Sequence, residues 1–165
     1  MNRISFIATL LFFQMVVALS QNPISPMGVY IADPLGRVDS DGKMYVYGSV
    51  DKTPWTYCST DYHVLASSDL KKWTLYRNSF ASEGKNDAVS YSNGLLYAPD
   101  MMYKDGTYYL YYDLSDWTEG VATSTSPTGP FVEGTLIEGP RSIDPNVFVD
   151  DDGQAYYFWG QFSAM

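Results

Sequence analysis

Three aspartates stand beside a proline at matching places in the chain. They are Asp33 in Ala32-Asp33-Pro34, Asp100 in Tyr97-Ala98-Pro99-Asp100, and Asp144 in Ile143-Asp144-Pro145-Asn146. Each is followed by an Asp-Gly step (Asp41-Gly42, Asp105-Gly106, Asp152-Gly153) and then by a strand-like run rich in aromatics. Carboxylates brought together across a substrate can do acid–base hydrolysis. In the inverting cleavage of a glycosidic bond, one carboxylate activates water and an acid roughly 6.5–9.5 Å away protonates the leaving oxygen. A single Asp-Pro step is more often a turn starter, because Asp bonds its own downstream backbone. Recurrence at the same point of a repeat gives Asp33 and Asp144 their weight, while Asp100 has a structural role as its equal alternative. Asp41, Asp105 and Asp150 to Asp152 read as turn residues. The run Asp150-Asp151-Asp152-Gly153 lacks the alternating ligands and distant Glu of an EF-hand loop. His63 is the only histidine, which argues against a zinc site; it either packs in the core or faces the ligand. Tyr97 and Trp159 are candidate platforms for a sugar ring, and core packing is the alternative for both.

The elements that must position these groups are short runs of Tyr, Val, Phe and Trp separated by Gly, Asp, Asn and Pro, an all-β pattern. Asp41-Gly42, Asn93-Gly94, Asp105-Gly106 and Asp152-Gly153 are expected hairpin turns. Tyr108, Leu110 and Tyr112 point one way and Tyr109 and Tyr111 the other, so the strand is apolar on both faces. A sheet with one wet face would alternate. Small antiparallel sheets stacked about an axis satisfy the pattern, which predicts a β-propeller. The front-edge aspartates are 67 and 44 residues apart, and the second spacing fits one blade of roughly 40–50 residues. Ser49 to Asp61 and Tyr76 to Asn93 are the expected insertions behind the longer spacing. The reading is two blades and the first half of a third. It implies the N-terminal part (21–165) of a longer propeller domain, with a short self-assembling protein as the alternative.

The chain has 165 residues, a net charge of −9, and 45% hydrophobic and 16% aromatic content. Arg3, the apolar run Ile4 to Leu19 and the small residues Ala18 and Ser20 read as a signal peptide over 1–20. That implies export to the periplasm or beyond, with no membrane association after cleavage. A membrane anchor or buried helix is the alternative, but the run is short for a span. The acidic balance disfavours nucleic acid and anionic lipid. With Cys58 the only cysteine, no internal disulfide forms and a core must hold the fold.

Together, Ala32-Asp33-Pro34, Tyr97-Ala98-Pro99-Asp100 and Ile143 to Asp150, with the Tyr62-His63-Val64, Ser67 to Leu70 and Trp73-Thr74 stretch, resemble the first three blades of glycoside hydrolase family 43. The resemblance runs from about Val29 to the end. It implies a five-bladed propeller, in its full length an inverting arabinofuranosidase or β-xylosidase acting on arabinan, arabinoxylan or xylo-oligosaccharides. It implies Asp33 as general base and Asp144 as the residue that orients the acid and raises its pKa. Asp100, Tyr97, Trp159 and His63 are further candidate substrate contacts. The family's general acid is a glutamate in blade four, so these residues alone are expected to be inactive. Glu138-Gly139-Pro140 precedes Asp144 and reads as a loop. No cofactor is implied; a structural metal ion in the central channel, present in some relatives, is left open. A non-catalytic carbohydrate-binding propeller is the main alternative. A sialidase-like propeller is a weaker one, since only Arg37, Arg77 and Arg141 follow the leader.

Overall fold

The computed structural model describes residues 24–53 and 55–161. The expected signal peptide lies outside them. The described residues form ten strands and no helix: β1 Tyr30–Val38, β2 Met44–Asp51, β3 Asp61–Ser67, β4 Thr74–Ala81, β5 Asp100–Lys104, β6 Thr107–Asp113, β7 Glu119–Ser124, β8 Val132–Leu136, β9 Asn146–Val149 and β10 Ala155–Phe158. They build two four-stranded antiparallel meanders, β1 to β4 and β5 to β8, and the hairpin β9–β10. These are blade 1, blade 2 and the first two strands of blade 3.

Turn chemistry fixes the hairpins. Asp105 and Gly106 both have positive φ (52° and 86°), the backbone of a two-residue turn whose twist suits the paired strands. Asn93-Gly94 is not a hairpin turn. It lies in the connection between blades, where the flanking segments do not pair with each other; Gly94 instead packs on Leu114 and Ser115. The second expected insertion also starts later than Tyr76. Tyr76 to Ala81 belongs to β4, an outer strand with a register shift against β3 and a left-handed Asn78 (φ 53°). Its mostly exposed first half and the polar Arg77-Asn78-Ser79 run hide the strand from a reading based on apolar runs. The first insertion is likewise shorter, since β2 runs through Asp51.

The core is the seam between blades 1 and 2. Tyr45, Tyr47, Tyr62, Val64 and Phe80 from blade 1 share one buried cluster with Tyr108, Leu110, Tyr112, Ala122 and Phe131 from blade 2. Phe80 and Tyr112 have ring centroids 4.6 Å apart, and Tyr47 meets Phe131 edge-on at 6.4 Å. The polar ends of these rings are satisfied as burial requires. Tyr47 donates to the Pro127 carbonyl (2.7 Å), and Tyr91 and Tyr112 share a hydroxyl–hydroxyl bond (2.9 Å). Tyr109 and Tyr111, on the other face of β6, are half-buried, and the Tyr111 ring lies 5.7 Å from Tyr157 of blade 3.

Candidate active site

Asp33 and Asp144 come from blades 1 and 3 and line one cavity of about 400 Å³ together with Tyr57, Cys58, Tyr97, Ala98, Ile143 and Gln161. Asp33 sits in β1 where the register against β2 shifts between Ala32 and Leu35. Both aspartates have left-handed backbone, φ 47° at Asp33 and 62° at Asp144. Asp tolerates that region better than most residues, at some local cost. Asp33 within β1 and Asp144 in the loop ahead of β9 thus line the same space.

The kink at Asp33 is backed by β2. A Cβ at Gly48 would lie 2.6 Å from the Ala32 carbonyl oxygen and against the Ile31 side chain, so only glycine permits this approach. Ser49 then donates to the Ala32 carbonyl (3.3 Å). In the same lining Tyr57 and Tyr97 stack with centroids 5.8 Å apart and planes 19° off parallel. Tyr62 donates to the Tyr97 carbonyl (2.6 Å), which ties that pair to the core. Hydrogen bonding with Tyr57, then burial, raises the Tyr97 phenol to about 12, so its ring is a neutral aromatic surface at ordinary pH. Tyr57 is exposed and available as a stacking face. Cys58 is buried, and burial lifts its thiol to about 11; a neutral thiol is a poor nucleophile.

Two acids lie behind the cavity at paired positions, Asp113 at the end of β6 and Glu119 at the start of β7. Both are fully buried. Asp113 is raised to about 8, by burial first and then by the charges of Asp144 and Glu119; the nearby Asp144 amide offsets part of this. Neither of its oxygens has a hydrogen-bond partner among the described residues. Asp113 is therefore largely protonated at neutral pH. Glu119 accepts hydrogen bonds from the Ser142 amide (3.1 Å) and the Tyr157 hydroxyl. Burial raises its pKa, and these two bonds oppose the rise.

Of the residues singled out in the sequence, the cavity unites Asp33, Tyr97 and Asp144. It leaves out Asp100, His63 and Trp159. The Asp100 carboxylate is buried and occupied by the fold: it accepts from Arg37 (3.1 Å), the Val147 amide (2.6 Å) and its neighbour's amide at Met101 (2.8 Å). That is the structural alternative for Asp100, joining all three blades. His63 lies in β3, with Nδ1 accepting from the Asn78 amide (3.3 Å) and Nε2 3.4 Å from Arg77. Burial lowers its pKa, so it is a neutral core residue of blade 1. Trp159 is half-buried against Tyr157 with centroids 5.9 Å apart. Gly48, Tyr57, Asp113 and Glu119 are the site residues that motif reading missed. Among the described residues, no group of three or more His, Cys, Asp or Glu side chains is arranged to hold a metal ion. No helix among them is long and apolar enough to cross a membrane.

Comparison with known proteins places this geometry. Residues 20–165 match the model of glycosyl hydrolases family 43. The xylosidase/arabinosidase 43A of Humicola insolens is 37% identical over 148 residues, covering 80% of this chain and 44% of that protein. The extracellular endo-alpha-(1->5)-L-arabinanase 1 of Bacillus subtilis (strain 168) is 32% identical over 114 residues, covering 60% of this chain and 35% of that protein. A crystal structure of the GH43_1 enzyme from Xanthomonas citri complexed with xylotriose superposes with a TM-score of 0.70 at 32% identity, covering 84% of this chain and 42% of that one. The chain thus spans less than half the length of these relatives. With two full blades, a partial third and aspartates meeting at their shared edge, the chain belongs to glycosyl hydrolases family 43.

Proposed function

We propose that these residues supply the base side of an inverting glycoside hydrolase acting on arabinose- and xylose-containing poly- or oligosaccharides. In this reading Asp33 is the general base. Its exposed carboxylate takes a proton from the attacking water as the water adds to the anomeric carbon. Asp144 orients the general acid and, by its negative charge, raises that acid's pKa so that it holds a proton near neutral pH. Tyr57 and Tyr97 offer an aromatic face to the sugar ring. The acid itself is a glutamate carried by the blades that complete the propeller, so residues 21–165 alone turn over no substrate. Arabinan, arabinoxylan and xylo-oligosaccharides are the proposed substrates, in keeping with the names of the relatives. The proposed setting is the periplasm or the extracellular space, reached through the leader at 1–20.

The observation that carries this reading is the convergence of Asp33 and Asp144, from different blades, on one cavity walled by a stacked tyrosine pair. The test is Asp33→Asn in the full-length protein, assayed on aryl xylosides and arabinofuranosides. Turnover is expected to fall by roughly two to four orders of magnitude with the melting temperature preserved. Unchanged turnover removes Asp33 as the base. Wild-type protein that binds xylotriose but releases no sugar makes the propeller a binding module instead.

A further inference from the structure

Glu119 is a fully buried carboxylate at the seam of blades 2 and 3. Its position in the backbone is fixed: it pairs with Asp113 across the ladder, and its carbonyl accepts the Ile137 amide (2.9 Å). Its side chain leaves blade 2 altogether. One oxygen takes the Ser142 amide (3.1 Å) and the other the Tyr157 hydroxyl. Ser142 lies two residues before Asp144, and Tyr157 lies in β10, beside β9. The intervening Ile143 is held from the far side, its carbonyl accepting the Gly160 amide (2.8 Å).

We propose that Glu119 is a positioning residue for Asp144: it reaches from blade 2 into blade 3 and clamps the Ser142–Asp144 segment that carries the Asp144 carboxylate to the cavity. The proposal rests on the reading of Asp144 as the residue that tunes the acid. The charge pattern supports it. The ionisable groups facing Glu119 are Asp113 on β6, Asp144 ahead of β9 and Tyr157 on β10, all acids. A seam that needed only to be filled would be more stable with an apolar side chain of this volume, since a buried carboxylate among acids carries a desolvation and repulsion cost. What the carboxylate adds is two charge-assisted bonds aimed at two separate parts of blade 3. Protonation of Asp113 limits the repulsion between the two carboxyl groups.

The experiment compares Glu119→Ala, Glu119→Gln, Tyr157→Phe and Asp144→Asn in the full-length enzyme, reading kcat, KM, the pH profile and the melting curve. Displacing Asp144 lowers the pKa of the acid, so the alkaline limb of the pH profile moves to lower pH. Glu119→Ala is expected to cut kcat by roughly 10- to 100-fold, leave KM nearly unchanged and move that limb downward. Glu119→Gln, whose carbonyl accepts the Ser142 amide and whose NH2 donates to the Tyr157 hydroxyl oxygen with that bond reversed, restores most of kcat and of the limb. Tyr157→Phe removes one of the two bonds and gives a smaller shift in the same direction. A folded Glu119→Ala enzyme with wild-type kcat and limb overturns the proposal. So does a loss of kcat with the limb unmoved, which is what a merely structural role gives. Should Glu119→Ala fail to fold, Tyr157→Phe decides: a limb identical to wild type overturns the clamp. Asp144→Asn separates the two readings. If it changes neither kcat nor the limb, the role of Asp144 itself is wrong; if it changes both and the Glu119 variants change neither, only the clamp is wrong.

Discussion

The two seams of this molecule are built from opposite materials. Blades 1 and 2 meet mainly through rings and aliphatic side chains, with polar atoms at tyrosine tips and at the Arg37–Asp100 pair on its margin. Blades 2 and 3 meet through buried carboxylates: Asp100 takes the Val147 amide, Glu119 takes Ser142 and Tyr157, and Asp113 lies beside Asp144 without a hydrogen-bond partner among the described residues. The first seam gives stability without direction, because apolar burial is roughly proportional to area and insensitive to angle. The second gives direction at a cost in stability. The cavity with Asp33 and Asp144 lies where the directed seam ends. This fold keeps most of its glue and its aiming devices apart.

The hardest test of that contrast is a deletion in the apolar seam. Phe80 is 1% exposed and packs on Tyr62 and Tyr112. Phe80→Ala should cost about 3–5 kcal/mol, the range for a buried ring whose cavity cannot close, read as a lower midpoint in denaturant titration. A loss below about 1 kcal/mol would mean the seam is loosely packed and the contrast is false.

The acidic seam should betray its cost through pH. Asp113 has a reference value of 3.8 and is raised to about 8 in the fold. Below about 4 it is neutral folded and unfolded, and costs little. Between 4 and 8 the unfolded chain ionises it while the fold holds it protonated, so stability declines with rising pH and levels off above 8. Asp113→Asn cannot ionise. Its stability should match wild type near pH 4 and exceed it near pH 8 by on the order of 2–3 kcal/mol, less than the full shift implies because water entry and relaxation soften the penalty. Parallel stability curves for the two proteins would show that Asp113 is not the strained acid.

Asp100 tests the structural side of the same seam. Asp100→Asn keeps the shape but only one acceptor: it gives up the ion pair with Arg37 and turns an NH2 toward either the Val147 amide or the Met101 amide. Because the Arg37 side chain is 42% exposed, solvent screens the ion pair, and most of an expected loss of about 2–3 kcal/mol comes from the buried amide left without an acceptor. Turnover should hold. A large loss of kcat with stability intact would return Asp100 to the candidate substrate contacts.

The sequence carried whatever is set within a few residues. Asp105-Gly106 specifies its turn through two positive-φ positions, and the tyrosines of β6 announce a strand covered on both faces. The recurrence of Asp33 and Asp144 at blade fronts was visible for the same reason, since a repeat is a local pattern seen more than once. Contacts across blades were not visible. Glu119 begins a strand and looks like an edge charge; only the arrival of Ser142 and Tyr157 makes it a buried clamp. Asp113 ends a strand in the same ordinary way. Gly48 looks like a weak point in β2 until the kink at Asp33 is seen pressing on it. His63 and Asp100 misled in the opposite sense, because a residue type suited to chemistry can be absorbed by neighbours that sequence distance conceals.

The smallest effect gives the sharpest comparison, because the same atom can be removed from both seams. Tyr47→Phe deletes a hydroxyl that donates to the Pro127 carbonyl at 2.7 Å, in a side chain 1% exposed. The ring and its edge contact with Phe131 remain, so the loss should be about 1 kcal/mol, one neutral hydrogen bond. That bond joins two structural elements and points at no reacting group. The melting temperature should drop by a few degrees, while kcat and the pH profile stay as in wild type. Tyr157→Phe deletes the same oxygen from the acidic seam, where the acceptor is the Glu119 carboxylate. Its thermal effect should be similar, but its pH profile should move, because the lost bond lies on the route that holds Asp144 in place. Two variants that melt alike and titrate differently would separate glue from aim. Two that melt and titrate alike would reduce both seams to packing.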